Sequence, residues 1–390
     1  MNRKRIICGI IAATMLMPSY TAFAGMKGTV KGAVGETRMA GSTATGTSYD
    51  ELSEKYDLTI DQAVTDAIAF SRDLKNLAET IDVTEDNEKV VRNAWASQNN
   101  GETISDYATT HSYSVQLRQI ANALSSYSAN EEIAKQKIEY NVRSLFYNIK
   151  AAEDSLALYD EQIDIQARQL KIYETMLNLG KLSQVEYNNY KQEYDTLVSD
   201  KKAVETQISA AYRSLNQLMG KDINQQYNII VEDLTFTEME DVSLDYEINK
   251  AIATNQTVKD AEDSMNLNKY SLDSFVDGST VSADRTQTEN SYAQSTRTLE
   301  DTKTSLKAEM TALYEDIREA ERTYKDNEAS LANMEEQLKV KETQYSLGKI
   351  TELELDAYKL SIDSLKNTME TAVYDHDIMV RQFQNSNLIM

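Results

Sequence analysis

The chain has 390 residues, 63 acidic against 40 basic, and a formal net charge of −23. That acidity argues against a nucleic-acid backbone as partner. Its only proline is Pro18, and since Pro costs about 3 kcal/mol in a helix interior, everything beyond it is free to form very long helices.

At the N-terminus, Arg3, Lys4 and Arg5 precede an apolar run from Ile6 to Met17, and Ala22-Phe23-Ala24 supplies small residues where a signal peptidase reads. The pattern is that of a signal peptide, residues 1–24, cleaved after Ala24. An uncleaved anchor is the poorer reading, because about 12 apolar residues do not span a bilayer. The single cysteine, Cys8, lies inside this run. Cleavage leaves no disulfide, thiol nucleophile or cysteine metal site. No later run approaches the length of a transmembrane helix, so an exported chain without a helical anchor is expected.

Residues 25–56, rich in Gly, Thr, Ser and Ala to Tyr49, read as a flexible lead segment. Order is expected to begin near Leu58-Thr59-Ile60-Asp61, where Thr59 caps a helix carrying Ala63, Val64, Ala67, Ile68 and Leu74. From Arg92 to Ser128 the periodicity weakens into Asn, Ser, Thr and Tyr, with a turn at Asn99-Asn100-Gly101 and Trp95 as a local packing anchor. A heptad seam then runs from Ile138, Val142, Leu145 and Ile149 to Tyr173 and Leu177. It predicts a helix from about Asn130 to Asn178, roughly 70 Å long. Phe146, Ile165, Ile172 and Met176 flank that seam and widen its apolar stripe.

Leu179-Gly180-Lys181-Leu182-Ser183 interrupts the pattern, which resumes at Tyr187, Tyr190 and Tyr194 and continues to Leu218 before Gly220. Gly reaches left-handed conformations without a Cβ clash, and a following Ser caps a new helix. The stretch therefore reads as the tip of an antiparallel helical hairpin. It recurs 168 positions later as Leu347-Gly348-Lys349-Ile350-Thr351, flanked by matching seams, Leu306 to Tyr345 and Leu355 to Phe383. The chain is an internal duplication. The opening helices match too, Thr59–Ala69 with Ser243–Ala253, but at an offset of 184. The first copy thus carries 16 extra residues, placed around Trp95. The repeats are assigned to residues 57–222 and 244–390. The crossover at 223–243 holds Tyr227-Asn228-Ile229-Ile230-Val231, a short strand or an extended crossing. The fold class is all-α, two long coiled-coil-like hairpins with little or no β-structure.

A signal peptide, the Leu58–Ala69 opening helix, paired hairpins with Gly-x-x-Ser/Thr tips and the Leu215-Asn216-Gln217-Leu218-Met219-Gly220 ending together resemble the TolC-type outer-membrane efflux protein family. The resemblance implies a homotrimeric, twelve-helix hollow α-barrel. Its tips would dock an adaptor (membrane-fusion) protein coupled to an inner-membrane pump of the ABC or proton-driven type. On that likeness the adaptor-binding residues are Leu179, Gly180, Leu182 and Ser183 with Leu347, Gly348, Ile350 and Thr351. Glu354 stands at the first position of the family's acidic constriction; the second falls on Ala357, beside Asp356. Location in the cell envelope is implied: the outer membrane, or the cell wall or outer face where there is no such membrane. The family also inserts membrane strands before each long helix. Neither Ala96–Ser128 nor Ser271–Tyr292 shows the 9–11-residue alternation that such strands need, so the membrane barrel is expected to be absent or vestigial.

No catalytic constellation or cofactor site stands out. His111 and His376 read as packed histidines, and most acids as solvated faces or i,i+4 partners of lysine. Lys181 and Lys349 suit either acidic adaptor residues or the helix C-terminus. The leading reading is a passive export duct; the alternative is a structural or adhesive coiled-coil protein of the envelope. An enzyme has no support in the residues.

Overall fold

The computed structural model describes residues 56–99, 107–231, 234–275 and 282–389. The signal peptide, nearly all of the lead segment, and Asn100-Gly101 of the expected turn lie outside the described residues. Among those described, strand β1 (Tyr56–Thr59) is followed by α1 (Ile60–Phe70), α2 (Arg72–Asn99), α3 (Tyr107–Asn178) and α4 (Gln184–Met219). Strand β2 (Tyr227–Ile230) leads into α5 (Leu244–Thr254), α6 (Gln256–Asp273), α7 (Ser282–Ser346), α8 (Glu352–Gln384) and a final 3-10 turn, Ser386–Leu388.

The duplication is visible element by element. Thr59 caps α1 in a capping box with Gln62, as its position before the apolar run predicts. Helices α1 and α5 both have 11 residues, and each buries an alanine at the same register, Ala67 and Ala251. The joints that follow also correspond. Ser71 Oγ accepts the Leu74 N–H at 3.3 Å, and Asn255 Oδ1 accepts the Val258 N–H at 3.1 Å. Beyond the joints the repeats diverge, because α2 has 28 residues and α6 has 18. The additional residues of the first copy lengthen helices.

One expectation is corrected here. The first long helix begins at Tyr107, not near Asn130, and its 72 residues span roughly 108 Å. From Tyr107 to Asn130 the Ser/Thr/Asn/Tyr-rich stretch has no Pro or Gly to stop a helix, and α3 packs against α2 and α6. Ile120 is buried there, Ser114 Oγ lies 3.0 Å from the Tyr270 hydroxyl, and Asn122 donates to the Asp263 carbonyl. Apart from Ser274 and Phe275, the described residues of both stretches where membrane strands would fall are helix, in α2, α3, α6 and α7.

Long helices α4, α3, α8 and α7 lie side by side in that order. α3 contacts α4 and α8, and α8 contacts α7, while α4 and α7 share no comparable contact. The four therefore form an open row, not a closed bundle. Two apolar cores form, one centred on each repeat, the first completed by Tyr374 of α8. Ala63, Val142, Phe146, Ile149, Val204 and Leu215 belong to the first, and Ile248, Val258, Leu306, Met310 and Ile317 to the second. Fully burying a side chain of this size contributes about 1.5–3 kcal/mol.

The crossover strand pairs in parallel with β1, Leu58 opposite Ile229, in a two-stranded sheet. Tyr212 fastens it to α4, its hydroxyl 2.8 Å from the Tyr227 carbonyl and 3.0 Å from Glu153 Oε1. Beyond the strand, Glu321 clasps the crossover to the second repeat. Its Oε1 accepts the Met239 N–H at 2.7 Å and lies 3.1 Å from His376 Nε2; its Oε2 pairs with Arg318 at 2.8 Å. His376 is thus a packed histidine on its seam, 5% exposed, with Phe236 against its ring.

Candidate docking tips

Both hairpin tips are built by the same bonds. At the end of α3 the Lys181 N–H bonds the Met176 carbonyl at 2.8 Å and the Gly180 N–H bonds that of Leu177 at 2.9 Å. At the end of α7 the Lys349 N–H bonds Gln344 and the Gly348 N–H bonds Tyr345, each at 2.8 Å. These are paired Schellman endings, which need a left-handed residue at their hinge. Gly180 and Gly348 supply it with φ of 69° and 65°. Ser183 then caps α4 and Thr351 caps α8, each in a reciprocal box with the glutamate three residues on.

Each tip leaves apolar side chains in water. Leu179 and Leu347 are both 64% exposed, and one heptad before them Ile172 and Val340 are 49% and 57% exposed. Residues seven apart share a helix face, so each outgoing helix ends in a short exposed apolar stripe. Leu182 and Ile350 are half-buried beneath the turns, and Ser183 and Thr351 are exposed. The eight residues expected at the docking surface thus form two matching clusters with one backbone geometry.

The two acids expected at a constriction have other partners. Glu354 Oε2 accepts the Thr351 N–H at 2.8 Å and its hydroxyl at 3.0 Å. Those bonds, the backbone one first, hold its carboxyl below the ordinary value. Glu186 does the same at the first tip, so Glu354 completes a helix cap shared by both repeats. The Ser/Thr-x-x-Glu spacing that announces this cap is present twice in the sequence. Asp356 pairs with Arg168 of α3 at 2.8 Å, across the line where the two hairpins meet. Arg168, which heptad reasoning passed over, also reaches Asp164 at 3.0 Å. Nothing local in the sequence announces a partner so far along the chain.

Aromatic groups stiffen the flanks. Tyr173 stacks on Tyr190 with centroids 3.9 Å apart. At the equivalent place Lys341 lies 5.5 Å from the Tyr358 ring. No cluster of three metal-ligating side chains occurs among the described residues, and no described helix is long and apolar enough to cross a membrane.

No protein-family model and no curated protein matches the sequence. Solved structures do match the fold. The chain superposes on the CmeC outer membrane channel of Campylobacter jejuni with a TM-score of 0.61 and 11% identity, over 85% of this chain and 86% of that one. The outer membrane protein VceC of Vibrio cholerae gives a TM-score of 0.57 at 10% identity, covering 84% and 96%. The open state of the MtrE outer membrane channel of Neisseria gonorrhoeae gives 0.53 at 11%, covering 84% and 89%. At these identities the likeness is one of fold, and the chain has the fold of TolC-type outer membrane channels.

Proposed function

We propose that the protein is the duct subunit of a tripartite export system: a passive conduit that docks an adaptor protein at its two tips and performs no chemistry. The observation that carries this reading is the open row α4–α3–α8–α7, whose two end helices, α4 and α7, do not close on each other among the described residues. Such a row is completed when α4 of one copy meets α7 of the next. Three copies would then close twelve helices around a lumen. An envelope coiled-coil protein would instead be expected to bury α4 against α7 in a solid bundle. The exposed apolar stripes ending at Leu179 and Leu347 fit the helices of an adaptor hairpin. The pump behind it would be an inner-membrane exporter of the ABC or proton-driven type, and the protein would act in the cell envelope.

The test is the shape and stoichiometry of the purified, signal-free protein by electron microscopy and small-angle scattering. A trimer with a central lumen is expected, and a monomeric solid rod would overturn the proposal. Gly180→Trp and Gly348→Trp should abolish adaptor capture while the helical signal persists. Unchanged capture would remove the tips from the mechanism.

A further inference from the structure

We propose that the two tips are chemically unequal docking sites, the second selecting its partner by charge through Glu352. The inference rests on the tip-docking reading above and adds a partner chemistry to it. Aligned at their glycines, the segments 169–191 and 337–359 carry the same five charges in register. The second segment adds three: Lys341, Glu352 and Asp356, where the first has Tyr173, Gln184 and Asn188.

The neutral residues of the first tip satisfy one another. Gln184 Nε2 donates to Asn188 Oδ1 at 3.0 Å, and Tyr173 lies flat on Tyr190. At the second tip, Asp356 is taken up by Arg168 and Lys341 by the Tyr358 ring. Glu352 is exposed and makes no ion pair within 4 Å or side-chain hydrogen bond among the described residues, although it lies in the field of Arg168, whose bonds go to Asp356 and Asp164. It stands at the first residue of α8, one residue past the capping threonine and five positions past the exposed Leu347. A helix lying on the apolar stripe therefore meets an exposed carboxylate with no hydrogen-bonded cation at the second tip and a neutral amide at the first. The partner that fits the second is a helical hairpin with an arginine or lysine beside its apolar contact residues. The first tip accepts such a hairpin and its neutral counterpart alike.

A chain starting at Gly25 has no cysteine, so Asn178→Cys and Ser346→Cys, exposed equivalents at the two tips, each accept one environment-sensitive fluorophore. The probes are two synthetic helical hairpins with the same leucine heptads, one flanked by arginine and one by glutamine. At about 20 mM salt the arginine hairpin should bind roughly fivefold tighter than the glutamine hairpin at the Ser346 reporter, and within about twofold of it at the Asn178 reporter. At about 0.5 M salt the preference should vanish. Glu352→Gln should abolish it, and Gln184→Glu should create it at the first tip. Equal arginine preference at both tips, or a preference that survives Glu352→Gln, overturns the inference and leaves tip docking intact. Failure of both hairpins to bind either tip overturns the docking reading, and this inference with it.

Discussion

Arg168 Nη2 and Asp356 Oδ2 meet at 2.8 Å, joining α3 of the first hairpin to α8 of the second about one heptad below the tips. The pair begins a polar line between the hairpins. Further along, Asn367 donates to Ser155 at 3.2 Å, the Tyr147 hydroxyl donates to Asp377 at 2.8 Å, and Asn385 donates to Gln136 at 2.8 Å. Within the first hairpin, by contrast, α3 and α4 share an apolar core, as α7 and α8 do in the second. Tyr147 and Tyr374, both buried, stack across the same seam with centroids 4.8 Å apart and fix it there, whereas the contacts nearer the tips are polar and part-exposed and part at less cost. The tip ends of the two hairpins are therefore expected to move against each other, with Arg168–Asp356 as the tie nearest the tips. Asp356→Asn should broaden the distance distribution between spin labels at positions 178 and 346 without moving the unfolding midpoint. An unaltered distribution would show that the tie does not set tip spacing.

The three glycines among the described residues, all left-handed, call for different outcomes on substitution. A Cβ at Gly180 or Gly348 meets nothing within 4 Å, whereas one at Gly220 would sit 2.2 Å from Phe70 Cδ2. Gly180→Ala and Gly348→Ala therefore carry only the left-handed backbone cost, about 1 kcal/mol each. Gly220→Ala adds a clash between the end of α4 and the end of α1, and should cost at least about 2 kcal/mol. Denaturant unfolding of the three variants, compared at constant m-value, tests the order.

Features carried by local chemistry were legible in the sequence; those made by distant partners were not. The Thr59 cap, both tips and the 184-residue offset between α1 and α5 follow from residues within one or two turns of each other. The pairing of β1 does not. Tyr56-Asp57-Leu58-Thr59 is too short to announce a strand and becomes one only by lying beside Tyr227–Ile230. The start of α3 is not announced locally, because its first turns bury little apolar surface and pack on α2 and α6. The C-terminal turn likewise depends on distant partners. Asn387 Oδ1 caps the Gln256 N–H at 2.8 Å, and Asn255 reaches the Ser386 carbonyl at 3.0 Å, both across 131 residues. At the tips, heptad reasoning found the turn residues. The constriction position of Glu354 comes from the family likeness, and the structure adds that this residue closes the cap of α8.

Glu321 is the most heavily engaged buried acid of the second repeat. Burial raises its pKa, but the Met239 N–H, Arg318 and His376 together outweigh burial and hold it below the ordinary 4.5. A carboxyl lowered in the folded state contributes stability above its unfolded pKa, and loses it as pH falls through the folded value. Glu321→Ala leaves the Met239 N–H and His376 without this acceptor, while Arg318 keeps Asp241 and the Met239 and Glu240 carbonyls, and it should cost about 1–3 kcal/mol near neutral pH. The milder Glu321→Gln gives the pH test. The advantage of the wild type over this variant in urea midpoint should be full at pH 7 and shrink below pH 4.5. A gap that stays constant on acidification would remove the ionised carboxylate from the clasp.

Glu186 and Glu354 are predicted to behave as a matched pair. Both carboxyls are held below 4.5, chiefly by the backbone N–H and then the hydroxyl of Ser183 or Thr351. By the same sign, the caps are complete above that value and are lost as pH falls through the lowered pKa. Glu186→Ala and Glu354→Ala should each accelerate hydrogen exchange at the first amides of α4 or α8, and at pH 7 each should resemble the wild type at acidic pH. A role for Glu354 confined to a duct constriction predicts something else. Glu354→Ala would then alter conductance of the assembled protein while leaving tip exchange as slow as in the wild type. Because Glu186 sits in the same cap with no acid at the position equivalent to Asp356, the first tip serves as the internal control. Parallel acceleration at both tips assigns the two glutamates to the turn itself.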